Sequence, residues 1–139
     1  MWSYALCFVI FAAVFGLMDF IWLTNAFKSV YQPAIGQILA EKVRLAPAAL
    51  FYLIYVAGAS FFVVTPALAS GDWRPAAVRG ALFGLVAYGT YDLTNQATLN
   101  AWPTRLTVID MGWGAFATAV SASATVFIGA RIARTLGWN

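Results

Sequence analysis

Three aspartates, Asp19, Asp92 and Asp110, lie inside or at the edge of long apolar stretches. A carboxyl group in the middle of a bilayer costs roughly 2.5–3.5 kcal/mol on insertion scales, so it is paired, faces a cavity or carries a function. Brought together, such groups can move protons, hold a cation or receive the donor groups of a ligand. Two of the three share a pattern: Asp19-x-x-Trp22 is echoed by Asp110-x-x-Trp113. Residues three apart share a helix face, which predicts that each Asp has the indole of its own helix beside it.

The candidate ligand-binding residues are Asp19, Trp22, Asn25, Tyr52, Tyr55, Tyr91, Asp92, Asn95, Asp110 and Trp113. No metal-ligand set and no cofactor motif is read among them. Two plainer readings compete. The tryptophans, with Trp102 and Tyr31, fit an aromatic belt at the lipid headgroups. The aspartates fit helix–helix hydrogen bonds to Thr24, Asn25, Tyr91, Thr94, Asn95 and Asn100.

Composition defines the elements that must position these groups. The chain has 139 residues, 63% hydrophobic and 9% charged, with mean hydropathy +0.80. A soluble domain carries about 25% charged residues, so this chain has too little polar surface to cover a globule in water. An integral membrane protein of one domain, residues 1–139, is the expectation. Its membrane is read as the inner membrane of a bacterium and its partners as membrane lipids, a second copy or a larger membrane complex. Eight Lys/Arg against five Asp/Glu give a net charge of +3. The basic residues are scattered between apolar runs and form no face for nucleic acid. Cys7 is the only cysteine, which excludes an intramolecular disulfide. The start, Met1-Trp2-Ser3-Tyr4, lacks the basic region of a secretory signal, so the first apolar segment is expected to be retained.

The apolar runs predict an all-α integral membrane fold, a bundle of four transmembrane helices. The spans run from about Trp2 to Asn25, Pro47 to Ser70, Ala76 to Thr98 and Leu106 to Leu136. Residues 26–46 place Ile35, Ile38, Leu39 and Val43 at helical intervals, which predicts a short interfacial helix between helices one and two. Basic residues divide equally between the two sides of a four-span chain, so orientation stays open. Gly80-xxx-Gly84 and the small residues Ala117, Ser121, Thr125, Gly129 and Ala133 predict close packing of the third helix on the fourth. Both the third span and the first end on the side where the second and fourth begin. That topology brings the three aspartates, Tyr52 and Tyr55 to one level, with Arg44 and Arg105 placed to neutralise two carboxylates. The third is then protonated, or the cluster holds a cation.

Residues 15–25, FGLMDFIWLTN, and 88–95, YGTYDLTN, share an aromatic-Gly start, an Asp four residues after the aromatic and a Leu-Thr-Asn end. A duplication would make the fold two parallel-repeat hairpins; chance similarity over so few positions is the competing account. With no histidine, di-iron and haem sites built on His, and His-dependent catalytic triads, are excluded. No phosphate-binding glycine loop occurs. Two intramembrane aspartates are similar to those of aspartyl intramembrane proteases, but the Gly-x-Gly-Asp motif is missing, since Thr107, Val108 and Ile109 precede Asp110.

The motifs D-x-x-W-L at 19–23, F-Y-x-x-Y at 51–55, Y-D-x-T-N at 91–95, Trp102-Pro103 and D-x-x-W-G at 110–114 resemble, in this order, a family of small bacterial predicted membrane proteins of unknown function. The resemblance covers nearly the whole chain. It implies four helices, a bacterial inner membrane and a genomic neighbourhood of enzymes that modify fatty-acyl chains, and it implies no reaction. Three functions follow. One is a one-sided polar site for a lipid headgroup, small amphiphile or cation, serving lipid modification or transport. Another is an accessory subunit docking on a partner helix, and the last an intramembrane enzyme using the carboxylates. Aspartates lining one cavity favour the first and third; aspartates facing outward or consumed in helix contacts favour the second.

Overall fold

The computed structural model describes residues 2–137 and the side chains from Tyr4 onward. Its elements are α1 (Trp2–Ala26), α2 (Gln32–Ile35), α3 (Leu45–Ala59), α4 (Thr65–Leu68), α5 (Trp73–Thr98) and α6 (Thr104–Leu136). No strand occurs among the described residues. Three continuous helical runs are long and apolar enough to cross a membrane: Tyr4–Ile38, Leu45–Leu68 and Thr104–Leu136. The chain therefore has several apolar helices, as its composition requires. α5 is as long as α1 but falls short in apolarity, because Arg74 and Arg79 open it and Thr90, Asp92, Thr94, Asn95 and Gln96 close it.

Two of the runs contain a π-helical turn, at Phe27–Tyr31 and Ser60–Val64, and a proline explains each. A proline ring collides with the carbonyl four residues back and cannot donate to it. For Pro33 and Pro66 those carbonyls belong to Ser29 and Phe62, inside the two turns. Widening the helix by one residue relieves the collision: the N–H of Gln32 reaches Phe27 O and that of Thr65 reaches Ser60 O. Pro47, by contrast, sits in the first turn of α3, where no N–H is needed. α5 begins on a side-chain cap, Asp72 accepting from the N–H of Arg74 at 3.0 Å. α6 ends at Gly137, whose φ of +67° closes the helix in the left-handed conformation.

The expected interfacial helix takes a different form. The run begun by α1 continues through its π turn and α2 and ends with a 3₁₀ turn, Gly36–Ile38, so Leu39 and Val43 lie beyond it. Ile35 does not lie on a free surface. It is buried against Trp102 and Leu106 at the start of α6, flanked by Val30, Tyr31 and Ala34. The segment after α1 is thereby pinned to the start of α6.

The main core joins Cys7, Phe11 and Phe15 of α1, Tyr55, Val56 and Ala59 of α3, Val63 and Val64 of its π turn, and Ala117, Ala122 and Val126 of α6. α6 uses two small-residue faces. On one it meets α5: a Cβ at Gly80 would lie 2.8 Å from Thr118 O, and one at Gly84 would collide with Gly114 O and lie 2.6 Å from Thr118 Oγ1. The α5 glycines therefore pack on Gly114 and Thr118, seven residues, or about two turns, before the expected Ser121 and Thr125. Those two sit on the face toward α1, where Ser121 Oγ contacts Met18 Sδ at 3.9 Å and Gly129 packs on Cys7 Sγ. Close backbone approach of this kind supplies the dispersion contacts that lipid cannot.

Gly84→Leu should lower the melting temperature in detergent by several degrees, since a side chain there must push α5 off α6. Gly112→Leu is the control, because nothing lies within 4 Å of a Cβ at that position. Equal melting of the two variants, followed by circular dichroism, would show that the α5–α6 contact is not where this packing puts it.

Candidate functional site

Asp19 lies about two turns before the end of α1 and Asp110 about two turns after the start of α6, so an antiparallel pair sets them at one level. Both are buried. Their indoles are exchanged relative to the sequence expectation. Trp113 Nε1, from α6, donates to Asp19 Oδ1 on α1 at 3.2 Å. Trp22 Nε1, from α1, donates to the phenol oxygen of Tyr31 at 2.9 Å, and Tyr31 donates to Asp110 Oδ1. Tyr52 of α3 donates to the second oxygen of Asp19. The indole rings of Trp22 and Trp113 stack on each other, with centroids 4.5 Å apart and planes 7° apart, a contact worth about 0.5–1.5 kcal/mol beyond area burial.

The π turn makes the Tyr31 contact. On a straight α-helix Trp22 and Tyr31 would stand about 13.5 Å apart along the axis and on opposite faces. The wider turn at Phe27–Tyr31 reorients the chain so that the phenol reaches back into the bundle. π turns of this kind recur at functional sites.

Asp92 of α5 is fully buried and lies beside the carboxyl of Asp110. Among the described residues no phenol, indole, hydroxyl or backbone N–H reaches its oxygens, and its one polar partner is the Asp110 carboxyl. The matching segment at Asp19 receives a phenol and an indole, so the two copies of the sequence echo end in different environments.

Asp19 and Asp110 line one cavity of about 610 Å³, together with Leu23, Tyr31, Phe51, Ala87, Tyr88, Thr90, Tyr91, Thr94. The ring of Tyr88 is seated over Gly114, where a Cβ would overlap it. Leu23, Phe51, Thr90, Tyr91 and Thr94 are exposed and form the rim, while the aspartates form the floor. Both rim threonines turn their hydroxyls to their own helix, Thr90 to Val86 O at 2.7 Å and Thr94 to Tyr91 O at 3.1 Å. The mouth is thus apolar and aromatic, and the polarity is confined to the floor. None of the lining residues is basic.

Of the sequence candidates, the structure brings Asp19, Tyr91 and Asp110 to the cavity, with Trp22, Tyr52 and Trp113 bonded or stacked behind them and Asp92 next to Asp110. Tyr55 is drawn elsewhere: its hydroxyl pairs with Thr118 Oγ1 at 2.7 Å in the core. Asn25 bonds back to Ile21 O at 2.7 Å on an exposed face. Asn95 lines no part of this cavity. Arg44 precedes α3 in extended backbone, and Arg105 lines a separate cavity of about 200 Å³ with Ser29 and Pro103, so neither lines the aspartate cavity. Leu23, Tyr31, Phe51, Ala87, Tyr88, Thr90 and Thr94 line the cavity but are not among the sequence candidates. Pro33, two residues after Tyr31, is the one signal that could have found Tyr31, through the π turn it imposes. No three His, Cys, Asp or Glu side chains among the described residues are grouped to hold a metal ion.

The exchanged indoles can be measured. In reversible unfolding from mixed micelles, Trp113→Phe and Asp19→Asn should couple by about 1 kcal/mol, the worth of one hydrogen bond. Trp22→Phe with Asp19→Asn should be nearly additive. The reverse ranking would restore the same-helix pairing.

Comparison with known proteins supplies a family. Neither a curated protein nor a solved structure matches the chain. Residues 4–127 match the family model described as "Predicted membrane protein (DUF2177)". With that match over most of its length and several apolar helices, the chain is a multi-pass membrane protein and belongs to this family of unknown function.

Proposed function

We propose that this protein is a four-span bundle of the bacterial inner membrane that takes the headgroup of an amphiphile from the surrounding bilayer into its aspartate-floored cavity. The observation that carries the reading is the convergence of Asp19 and Asp110 on one cavity of about 610 Å³ behind an apolar rim. A purely structural carboxylate needs a hydrogen-bond partner and no room beside it. A ligand site needs both a few fixed polar groups and an apolar volume, usually about 300–1,000 Å³.

Counting α5 as a span follows from the same picture. Its 26 residues measure about 39 Å, more than the ~30 Å hydrocarbon core. It lies against α6 through Gly80 and Gly84, and its polar residues cluster where it borders the cavity. A helix shielded in this way needs less apolar surface than one bathed in lipid. The bound molecule would enter sideways between Leu23 and Phe51 on one side and Thr90, Tyr91 and Thr94 on the other, its tail remaining in the bilayer. Such a site suits an enzyme or carrier acting on lipids, in line with the fatty-acyl chemistry that the family resemblance suggests.

Native mass spectrometry of protein released from membranes should find a bound amphiphile on the wild type. Ala87→Trp, which fills the cavity from its wall, and Asp110→Asn should each lose that mass while melting within a few degrees of wild type. Equal retention by both folded variants, or no bound amphiphile on the wild type, would favour the accessory-subunit reading.

A further inference from the structure

The charge and hydrogen-bond inventory of the floor narrows the class of headgroup. Every donor that reaches Asp19 or Asp110 is neutral: the phenols of Tyr52 and Tyr31 and the indole of Trp113. A carboxylate offers about four acceptor positions, so both retain lone pairs beyond the donors they have. Asp92, fully buried, lies against Asp110, and its one polar partner is that carboxyl. The side walls are aromatic faces, Tyr31, Tyr88, Tyr91 and Phe51, which attract a cation through their ring quadrupoles. An anionic head would meet two carboxylates here, with no basic lining residue to offset their repulsion.

We propose that the headgroup held at Asp19 and Asp110 is an ammonium that carries N–H donors, a primary or secondary amine on an apolar tail. This rests on the amphiphile-binding reading above and specifies it. A primary ammonium brings one positive charge and three donors to two acceptor-rich carboxylates. A quaternary ammonium brings the charge and the affinity for aromatic faces but no donor, and leaves the acceptors as they were. A neutral alcohol brings one donor and no charge.

A series with one tail separates these cases. The full-length protein in nanodiscs of phosphatidylglycerol is titrated with dodecylamine, dodecyltrimethylammonium, dodecanol and dodecanoate, read by native mass spectrometry and by thermal shift. Dodecylamine should bind at least ~10-fold more tightly than the trimethyl compound or the alcohol, a difference of about 1.4 kcal/mol, and dodecanoate should not compete. Asp110→Asn should erase the preference for dodecylamine. Ala87→Trp should abolish binding of all four. Equal binding of all heads in the wild type, lost in Ala87→Trp, would overturn the ammonium proposal and leave the amphiphile cavity standing. Preference for the trimethyl compound would overturn the N–H requirement. No saturable binding of any of the four would overturn both readings.

Discussion

Placing three carboxyl groups in an apolar helical protein without a basic partner at their side is the constraint on which the rest of the structure turns. The desolvation of a charged group is repaid only by donors with good geometry. Here those donors are phenols and indoles contributed by other helices: Tyr52 from α3 and Trp113 from α6 serve Asp19, and Tyr31, backed by Trp22, serves Asp110. Each bond crosses between elements, so the carboxylates also tie the helices together. Asp92, which receives no such donor, stands out against this background.

The features that look like backbone detail serve this arrangement. Pro33 forces a π turn, and the π turn delivers Tyr31 to Asp110. Gly114 lacks the Cβ that would displace the Tyr88 ring from the cavity wall. Gly80 and Gly84 bring α5 close enough to α6 to set Asp92 beside Asp110. Small residues thus act twice, as packing surface and as space for the aromatic side chains that line the site. The second proline-driven π turn, Ser60–Val64, puts Val63 and Val64 in the core.

Much of this was legible in the sequence. Hydropathy gave the long helices within a few residues, and the cost of intramembrane charge pointed to Asp19, Asp92 and Asp110. The expected pairing of each Asp with its own tryptophan was not met, because a three-residue spacing reports a shared face and says nothing about which neighbouring helix completes the bond. Tyr31 reads from the sequence as a belt residue at the headgroups; on a regular helix it would face away from Trp22, and the π turn is what brings it back. Asn25 is expected in the site from its motif with Asp19 and Tyr55 from the level at which the second span starts, whereas one satisfies its own backbone and the other pairs with Thr118. The glycine contact between α5 and α6 differs by seven residues from the expectation, because α6 carries two small-residue stripes and the more regular one, Ser121, Thr125 and Gly129, faces α1.

A crystal structure grown from a lipid mesophase tests the central claim most directly, because it shows both the floor and whatever the bilayer delivers to it. The account predicts a compact density between Asp19 and Asp110 that continues as a chain past Leu23, Phe51 and Tyr91 into the lipid. A cavity closed by repacked side chains, with the three carboxyl groups bonded only to neighbouring helices, would contradict it.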